Sequence, residues 1–401
     1  MFTKDTTLFR KEVISLTIGD AAYIKKVNRS LIISKIIERG MISRAELSKV
    51  IKLTKATIST QVADLLKEEL IVETHQEYNK VGRKPIMLSI NRKAGYALGI
   101  DLDYRYITFT ITDLMGTPIH SDMVEIHNCN YDEILEILIK QINYYKDTCP
   151  KSRFGIVGVV IGIHGTVSKE EFINNVPQHK WKNKDLKGDI EKEITLNIHI
   201  ENNANLCSFA ETVFKHHQSD NLLSISMYSG IGIGLFYKGE LLKGYHGYAG
   251  EIGHMIIVPE GKPCNCGNLG CWELYASEKS FFEYLDEEFQ KAITYEDIHN
   301  LLNEEDNIIR NQFEKFINYL STGLNNIINI FNPETLVLNS ELLKLYPGAE
   351  NKIKSHLTSS VSHFNELLIS ELGNKAAVMG AYALAIKNFM EISELRLRID
   401  N

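Results

Sequence analysis

The chain has 401 residues, of which 44% are hydrophobic and 24% charged, and both values are ordinary for a globular protein. This composition excludes disordered, fibrous and disulfide-stapled proteins, and no apolar run approaches the roughly 18 residues that a membrane helix needs. The six cysteines and the lack of an apolar signal segment in MFTKDTTLFRKEV predict a cytoplasmic protein whose thiols are free or bind metal.

Charge is distributed unevenly along the chain. Residues 1–95 carry 18 basic and 10 acidic side chains, a net +8, whereas the remainder carries 26 basic and 41 acidic side chains, a net −15. A basic head on an acidic body favours an anionic partner for the head alone, although chance drift of surface charge gives the same numbers.

The basic head is predicted to contain three helices followed by two strands. The first helix covers 28–39 and ends at Gly40. Ser43 and Glu46 form a predicted capping box that opens a second helix, and Thr54 caps the third. The predicted apolar faces are Leu31, Ile32, Ile36 and Ile37; then Ala45, Leu47 and Val50; then Ile58, Val62, Leu65 and Leu66. Two β runs, LIVET and PIMLSI, flank a polar tip, HQEYNKVGRK.

This order of elements resembles a winged helix-turn-helix domain, in which the second helix of the pair enters the DNA major groove. Any one of these helices alone would be read as a generic amphipathic helix. The predicted DNA contacts are Lys55, Thr57, Ser59, Thr60 and Gln61 on the exposed face of the third helix, and Arg83 and Lys84 on the wing. We therefore predict a DNA-binding domain at residues 1–90, with an N-terminal extension at 1–20 whose role stays open.

Beyond residue 91, predicted strands alternate with predicted helices, which indicates an α/β fold. A cluster of cysteines interrupts this pattern: Cys264, Cys266 and Cys271 lie within eight residues, and His254 lies ten residues before them. Three thiolates and one imidazole would form a closed tetrahedral Zn²⁺ site, and Gly267 and Gly270 give the loop freedom to fold around one ion. The spacing predicts the three cysteine ligands; His254 as the fourth is weaker on spacing alone.

Four segments, IGIHGTV, ENNAN, GYHGYAGEIGHM and CNCGNLGCWE, resemble the ROK family of repressors, open reading frames and sugar kinases. The resemblance extends from about residue 20 to 385. It implies that residues 91–401 form a two-lobed, actin-like or hexokinase-like α/β domain with a monosaccharide in the cleft and a zinc-binding loop at 254–273. It also implies that His254 is the fourth zinc ligand, and that the protein forms dimers or tetramers.

The resemblance also assigns the sugar-binding positions. Asn202, Glu251 and Glu273 fall on the family's sugar-contacting positions, and carboxylates and amides are suited to sugar hydroxyls. The full predicted set is His164, Gly165, Asn202, Asn203, Glu251, His254 and Glu273. His164 lies where the family's kinases have a proline, so a polar loop residue without a sugar contact is an equal alternative.

The positions that would serve phosphoryl transfer depart from the kinase pattern. Asn203 replaces the kinases' catalytic aspartate, and an amide cannot accept the hydroxyl proton. The glycine-rich phosphate loop is replaced by residues 101–105, the second loop survives partly at 229–234, and no Gly-Gly pair is present at 338–340. The sequence therefore predicts no enzyme, but a repressor that binds double-stranded operator DNA and releases it on binding a sugar. A ROK-type sugar kinase with an accessory DNA-binding domain is the alternative.

Within the family, the motifs resemble the xylose repressors of low-GC Gram-positive bacteria, which implies D-xylose as the effector. Glucose and N-acetylglucosamine are the alternative effectors. The operator sequence and the choice between homodimer and tetramer stay open.

Overall fold

A computed structural model describes residues 21–75, 85–127 and 130–399 of the chain. Contacts divide it into two compact units. The first contains the described residues up to Ile90 together with Met390–Ser393, and the second contains Asn91–Phe389 and the described residues from Glu394 onward. Among the described residues, none of the helices is both long and apolar enough to cross a membrane.

The first unit combines three helices with a small antiparallel sheet. Its elements are α1 (Ala21–Arg39), β1 (Ile42–Ser43), α2 (Arg44–Ile51), α3 (Lys55–Lys67), β2 (Ile71–His75) and β3 (Ile86–Ile90). The three strands lie in the order β1-β3-β2. The Ser43 hydroxyl accepts the Glu46 N–H while the Glu46 carboxylate accepts the Ser43 N–H, so the predicted capping box opens α2. Thr54 caps α3 in the same way, by accepting the Thr57 N–H.

The structure corrects some of the predicted helix faces in this unit. Gln61 is only 5% exposed, because it shares the inward face of α3 with Ile58 and Leu65 at spacings of three and four residues. Its predicted position on the exposed face is therefore wrong. Leu47 is the buried residue of α2, whereas Ala45 and Val50 are exposed, as is Leu31 on α1. The two wing residues, Arg83 and Lys84, lie outside the described residues.

The first lobe of the second unit is built on a five-stranded mixed sheet in the order β11-β7-β4-β5-β6, with a small sheet, β10-β9-β8, beside it. Its strands are β4 (Tyr96–Leu102), β5 (Tyr106–Asp113), β6 (Pro118–Glu125), β7 (Ile156–Ile163), β8 (Thr166–Val167), β9 (Ile173–Val176), β10 (Trp181–Lys184) and β11 (Ile198–Asn202). Its helices are α4 (Tyr131–Thr148) and α5 (Leu186–Glu191), and a 3-10 turn at Arg92–Ala94 precedes β4. All eight residues of β7 are buried, as expected of a central strand that pairs in parallel with β4 and β11.

The second lobe contains another five-stranded sheet, in the order β14-β13-β12-β15-β16. Its strands are β12 (Asn221–Ser226), β13 (Gly232–Tyr237), β14 (Glu240–Leu241), β15 (Thr335–Asn339) and β16 (Glu366–Ile369). The remaining helices of the second unit are α6 (Asn203–Phe214), α7 (Glu273–Ala276), α8 (Glu278–Phe289), α9 (Tyr295–Asn303), α10 (Asn307–Phe331), α11 (Glu341–Leu345), α12 (Ala349–His356) and α13 (Ala376–Met390), with 3-10 turns at Ile252–His254 and Gly373–Lys375. Each of the two five-stranded sheets has its own buried apolar cluster.

Two helices cover the sheets of these lobes and leave the ends of the strands free to form a cleft. Helix α6 packs on β12 and β13 directly after leaving β11. Helix α13 packs on β4 closely enough that a Cβ on Gly99 would lie 2.7 Å from the carbonyl oxygen of Val378. The carboxyl ends of the parallel strands β7 and β11 then present residues 163–165 and 202–203 side by side.

Candidate functional site

A cleft of about 1090 Å³ is lined by residues from both lobes of the second unit. Every residue of the predicted sugar set lines it: His164, Gly165, Asn202, Asn203, Glu251, His254 and Glu273. The predicted metal ligands Cys264 and Cys266 also line the cleft. His164 and Glu273, which are 109 positions apart in sequence, therefore share one cleft.

Asn202 is held by the backbone on two sides. Its side-chain oxygen caps helix α6 by accepting the N–H groups of Ala204 and Asn205 at 2.8 and 3.2 Å. Its Nδ2 donates to the carbonyl oxygen of Gly165 at 2.8 Å, which ties β11 to the loop that follows β7. One N–H of the amide is left to donate to a ligand.

His164 lies between two carboxylates at the cleft wall. Its Nε2 is 3.1 Å from Asp101 Oδ1, and its Nδ1 is 3.7 Å from Asp103 Oδ1. Burial alone would lower the pKa of His164, but the two carboxylates outweigh it and raise the pKa to about 9. The ring is therefore protonated at neutral pH, and its Nε2–H donates to Asp101 while Asp103 places a second negative charge near Nδ1.

The side-chain Nδ2 of Asn203 lies 3.2 Å from Nδ1 and 3.1 Å from Nε2 of this ring. A protonated imidazole has only donors, so the flipped amide, with its oxygen toward the ring, is the orientation that suits this contact. The position of the kinases' catalytic aspartate thus holds a neutral amide beside a cation, an arrangement that supplies no general base.

On the opposite wall, His254 joins the acidic residues of the cleft to the cysteine cluster. Its Nδ1 is 3.6 Å from Cys264 Sγ and 3.4 Å from Glu273 Oε1. Its Nε2 is 4.0 Å from Glu251 Oε2. One ring nitrogen thus faces the thiols, and the other faces the carboxylate that borders the cleft.

The ligand atoms of His254, Cys264, Cys266 and Cys271 all lie within 4.8 Å of one another, so this group could hold a metal ion. Two ligands at about 2.3 Å from a tetrahedral zinc ion lie about 3.8 Å apart. The Cys266–Cys271 sulfur separation is 3.6 Å, which fits one shared ion. Without an ion, burial raises the pKa of Cys264, and it raises the pKa of Cys271 to about 12.

The cysteine loop is fixed to the second lobe by Trp272. This side chain is fully buried, and its indole N–H donates to the carbonyl oxygen of Tyr319 in α10 at 2.9 Å. Gly270 has a φ of +81°, and a Cβ there would lie 1.7 Å from the carbonyl oxygen of Val258, so only glycine fits. Cys271 and Glu273, the neighbours of Trp272, thereby have fixed positions.

Residues 338–340, where the family's kinases are expected to have a Gly-Gly pair, have side chains that form hydrogen bonds within the protein. The Tyr228 hydroxyl donates to Asn339 Oδ1 at 2.9 Å, and Asn339 is fully buried. The Ser340 hydroxyl donates to Glu278 Oε1 at 2.6 Å. Side chains and their hydrogen bonds thus occupy positions where a Gly-Gly pair would leave open backbone.

Sequence reasoning missed several residues that organise the site. Asp101 entered only as part of a lost phosphate loop, yet its carboxylate holds His164. Glu201 and Lys243 form an ion pair beside Asn202, and Trp272 anchors the cysteine loop. The sequence signals for these two residues were weak: Glu201 lies inside the motif ENNAN, and Lys243 directly precedes the motif GYHGYAGEIGHM.

The predicted DNA contacts belong to the first unit. On α3, Lys55, Ser59 and Thr60 are exposed and Thr57 is half-buried. The Thr60 hydroxyl donates to the carbonyl oxygen of Ala56 at 3.2 Å, and the Thr57 and Thr54 hydroxyl oxygens are 2.9 Å apart. Of this set, Lys55 and Ser59 are therefore the exposed side chains that form no hydrogen bond to a neighbouring residue of the helix.

Comparison with known proteins agrees with this geometry. The model of the ROK family matches residues 97–388. A Bacillus subtilis (strain 168) protein named "Xylose repressor" is 37% identical over 384 residues, which cover 94% of this chain and 99% of that protein. The chain belongs to the ROK family. The predicted family is thereby confirmed.

Solved structures of ROK proteins also confirm the predicted fold class. A ROK family transcriptional regulator, described as a homolog of the E. coli MLC protein, superposes with a TM-score of 0.77 at 28% identity, covering 92% of this chain and 96% of that one. A ROK glucokinase from Streptomyces griseus, with glucose and AMPPNP bound, gives a TM-score of 0.65 at 22% identity over 72% of this chain and 99% of its own. The ROK fold thus occurs in regulators and in sugar kinases, and only the site residues of this chain can decide between them.

Proposed function

We propose that this chain is a sugar-responsive transcriptional repressor that binds operator DNA through its first unit and releases it when a monosaccharide occupies the cleft. D-xylose is the proposed effector, because the B. subtilis relative that matches nearly the whole chain is named a xylose repressor. The proposed assembly is a homodimer on a palindromic operator, since helix-turn-helix proteins read two half-sites about one helical turn apart. The proposed location is the cytoplasm, because a repressor of this kind must reach operator DNA.

One observation carries the proposal: the cleft keeps its sugar-side residues but has replaced those that would serve phosphoryl transfer. Glu251, His254 and Glu273 border the cleft as acceptors and donors for sugar hydroxyls. Asn203 stands beside the protonated His164 and cannot act as a base. Together these residues support binding without catalysis.

Zinc is the proposed occupant of the cysteine cluster. Three thiolates and the Nδ1 of His254 match the ligand set of a closed structural zinc site. A bound ion would supply a cross-link within the loop and no reaction chemistry. His254 would then be oriented by its zinc-facing nitrogen, leaving Nε2 beside Glu251 to donate to a sugar hydroxyl.

For DNA, we propose that Lys55, Thr57, Ser59 and Thr60 of α3 contact the major groove. Gln61 is left out of this set because its side chain is buried. Arg83 and Lys84 remain proposed phosphate contacts of the wing on the strength of the sequence alone.

The test is operator affinity with and without D-xylose, using DNA that the full-length protein enriches from a random-sequence pool. Wild type should lose affinity by about 5–150-fold when sugar binds. Glu251→Gln keeps the size of the side chain but loses an anionic acceptor, so it should bind the same DNA normally and ignore the sugar. Glu260→Gln, an exposed glutamate outside the cleft lining, is the matched control and should respond like wild type.

Glucose and N-acetylglucosamine form the comparison arms of the same experiment. If one of them releases the DNA and D-xylose does not, the effector is wrong and the repressor mechanism stands. If no sugar changes operator affinity, or if a sugar tightens it, the proposal of an inducer-released repressor fails.

A sugar kinase with an accessory DNA-binding domain is the second candidate, because the structural neighbours include a glucokinase. Incubation with ATP and each of the three sugars separates the two candidates. Robust formation of ADP that depends on the sugar would overturn the proposed function.

A further inference from the structure

Glu201 is a buried carboxylate whose two oxygens are both engaged. It lies at the end of β11, directly before the proposed sugar contact Asn202, and its side chain is 6% exposed. Oε1 accepts the backbone N–H of Asn202 at 2.9 Å and the Nδ2 of Asn205 at 3.0 Å. Oε2 accepts from Nζ of Lys243 at 2.5 Å. The first two bonds fix the backbone at Asn202 and the first turn of α6, which form one half of the site.

Lys243 belongs to the other lobe and stands at the base of the loop that leads to Glu251. It follows β14, and its carbonyl oxygen accepts the N–H of Ala249 at 3.1 Å, which closes residues 243–249 into a loop. Gly250 then has a φ of +105°, and a Cβ there would lie 2.6 Å from the carbonyl oxygen of Ile233. Because the loop is closed on itself and packed against β13, the position of Lys243 constrains that of Glu251.

We propose that Glu201 and Lys243 form a positioning pair that holds the two halves of the sugar site at the correct separation. This inference rests on the proposed function, because the ligand it concerns is the monosaccharide in the cleft. A sugar ring must meet Asn202 and Asn203 from the first lobe and Glu251 and His254 from the second at the same time. The ion pair links the residue before Asn202 directly to the base of the loop that ends at Glu251, in addition to the packing of α6 on β13.

The pair acts through the residues it places and does not itself line the cleft. Breaking it should therefore weaken sugar binding while leaving zinc and operator binding in place. Helix α6 still packs on β13 in such a variant, so the two lobes stay together. Loss of the ion pair instead loosens the placement of Asn202 relative to the loop that ends at Glu251. We expect the dissociation constant for the sugar to rise at least about tenfold, which corresponds to about 1.4 kcal/mol, the worth of one or two hydrogen bonds.

The variants are chosen to separate positioning from folding. Lys243→Met removes the cation but leaves a buried carboxylate without its partner, which can destabilise the fold on its own. The double variant E201Q/K243M removes both charges, so no ionised group is left buried, and the amide introduced at position 201 keeps an oxygen to accept from Asn202 and Asn205. Lys243→Arg retains the positive charge and its donors and serves as the rescue.

Lys238→Met is the matched control. Lys238 is an exposed lysine at the β13–β14 turn of the same hairpin, and its Nζ lies over the ring of Tyr237 at 5.1 Å, away from the cleft lining. Sugar affinity is measured by calorimetry on the full-length protein, with operator affinity in the absence of sugar, zinc content and thermal midpoint measured on the same samples.

The expected result is that the double variant binds sugar at least about tenfold more weakly, with operator affinity and zinc content unchanged, whereas Lys243→Arg and Lys238→Met match wild type. Wild-type sugar affinity in the double variant would overturn the proposal, as would an equal loss in Lys238→Met or a Lys243→Arg variant no better than Lys243→Met. If wild type binds none of the sugars, the proposed function itself fails, and the positioning pair fails with it.

Discussion

At the scale of single residues, His164 shows how an apparent loop residue becomes a fixed charge. Asp101 accepts a hydrogen bond from its ring, Asp103 adds a negative charge 3.7 Å from Nδ1, and Asn203 lies against the ring. Burial lowers the pKa of the neighbouring His179. The folded-state pKa of His164 is raised from 6.5 to about 9. The stabilisation from this charge is therefore complete below pH 6.5 and is lost as pH rises through 9.

We predict that the free energy of unfolding of wild type falls between pH 6.5 and 9 by a larger amount than that of His164→Gln. The difference should be on the order of 3 kcal/mol at most, since one pKa unit corresponds to about 1.4 kcal/mol. Denaturant unfolding at fixed temperature across this range measures it. Groups distant from His164 titrate alike in both proteins, so their contributions cancel in the difference. Parallel curves for the two proteins would show that His164 is not held in its charged form.

At the scale of elements, the cysteine loop connects a metal site to two cleft residues. Cys266→Ser removes one thiolate, so we expect loss of the bound zinc, for which affinities in small domains correspond to about 10 kcal/mol. Glu251 and Glu273 flank the ligands, and sugar affinity should therefore fall with the metal. Metal analysis of the purified protein and calorimetry with the effector sugar measure the two effects.

Cys149→Ser is the control for this prediction, because Cys149 is a free cysteine outside the cluster. It should retain one equivalent of zinc and wild-type sugar affinity. A zinc content below half an equivalent in the wild-type protein would contradict the proposed zinc site.

Helix α3 has an exposed face that contains Ser59 and a buried face that contains Gln61, so substitutions on the two faces should have different effects on operator binding. Ser59→Ala should weaken operator binding by about 1 kcal/mol, the worth of one hydrogen bond, without destabilising the helix. Gln61→Leu, on the buried face, should leave operator affinity unchanged and alter the unfolding free energy by less than about 1.5 kcal/mol. Operator titrations and denaturant unfolding of both variants check this. A large loss of operator affinity in Gln61→Leu would show that Gln61 does contact DNA.

The elements also show which features a sequence can predict. The capping box at Ser43, the cap at Thr54 and the cysteine cluster depend on residues close in sequence, and each was predicted correctly as a local feature. The ion pair of Glu201 with Lys243 spans 42 residues, and the contact of Asp101 with His164 spans 63. Such pairs depend on strand order and on the approach of two lobes, which periodicity does not encode. Gln61 was misplaced for a related reason: a polar residue was assumed to face solvent although its spacing put it on the buried face.

At the scale of the whole molecule, the proposed function requires two binding events to be coupled. A ligand can shift an equilibrium only by its difference in affinity for the two states. The sugar must therefore bind the DNA-free state more tightly than the operator-bound state. Closure of the two lobes on the sugar is the proposed source of this difference, because half-sites about 34 Å apart tolerate little rotation of a dimer.

The coupling between sugar binding and operator binding is reciprocal. If D-xylose weakens operator binding by a given factor, the operator must weaken D-xylose binding by the same factor. A coupling free energy of about 1–3 kcal/mol corresponds to a factor of about 5–150. The measurement is a sugar titration of the free protein and of the protein saturated with operator duplex, with a scrambled duplex of equal length as the control. Glu251→Gln, which is expected to ignore the sugar, should bind the operator equally with and without D-xylose and should show no D-xylose binding in either titration. Unequal factors in wild type would mean that a further ligand or a change of assembly takes part, and tighter sugar binding on the operator would make the sugar a co-repressor.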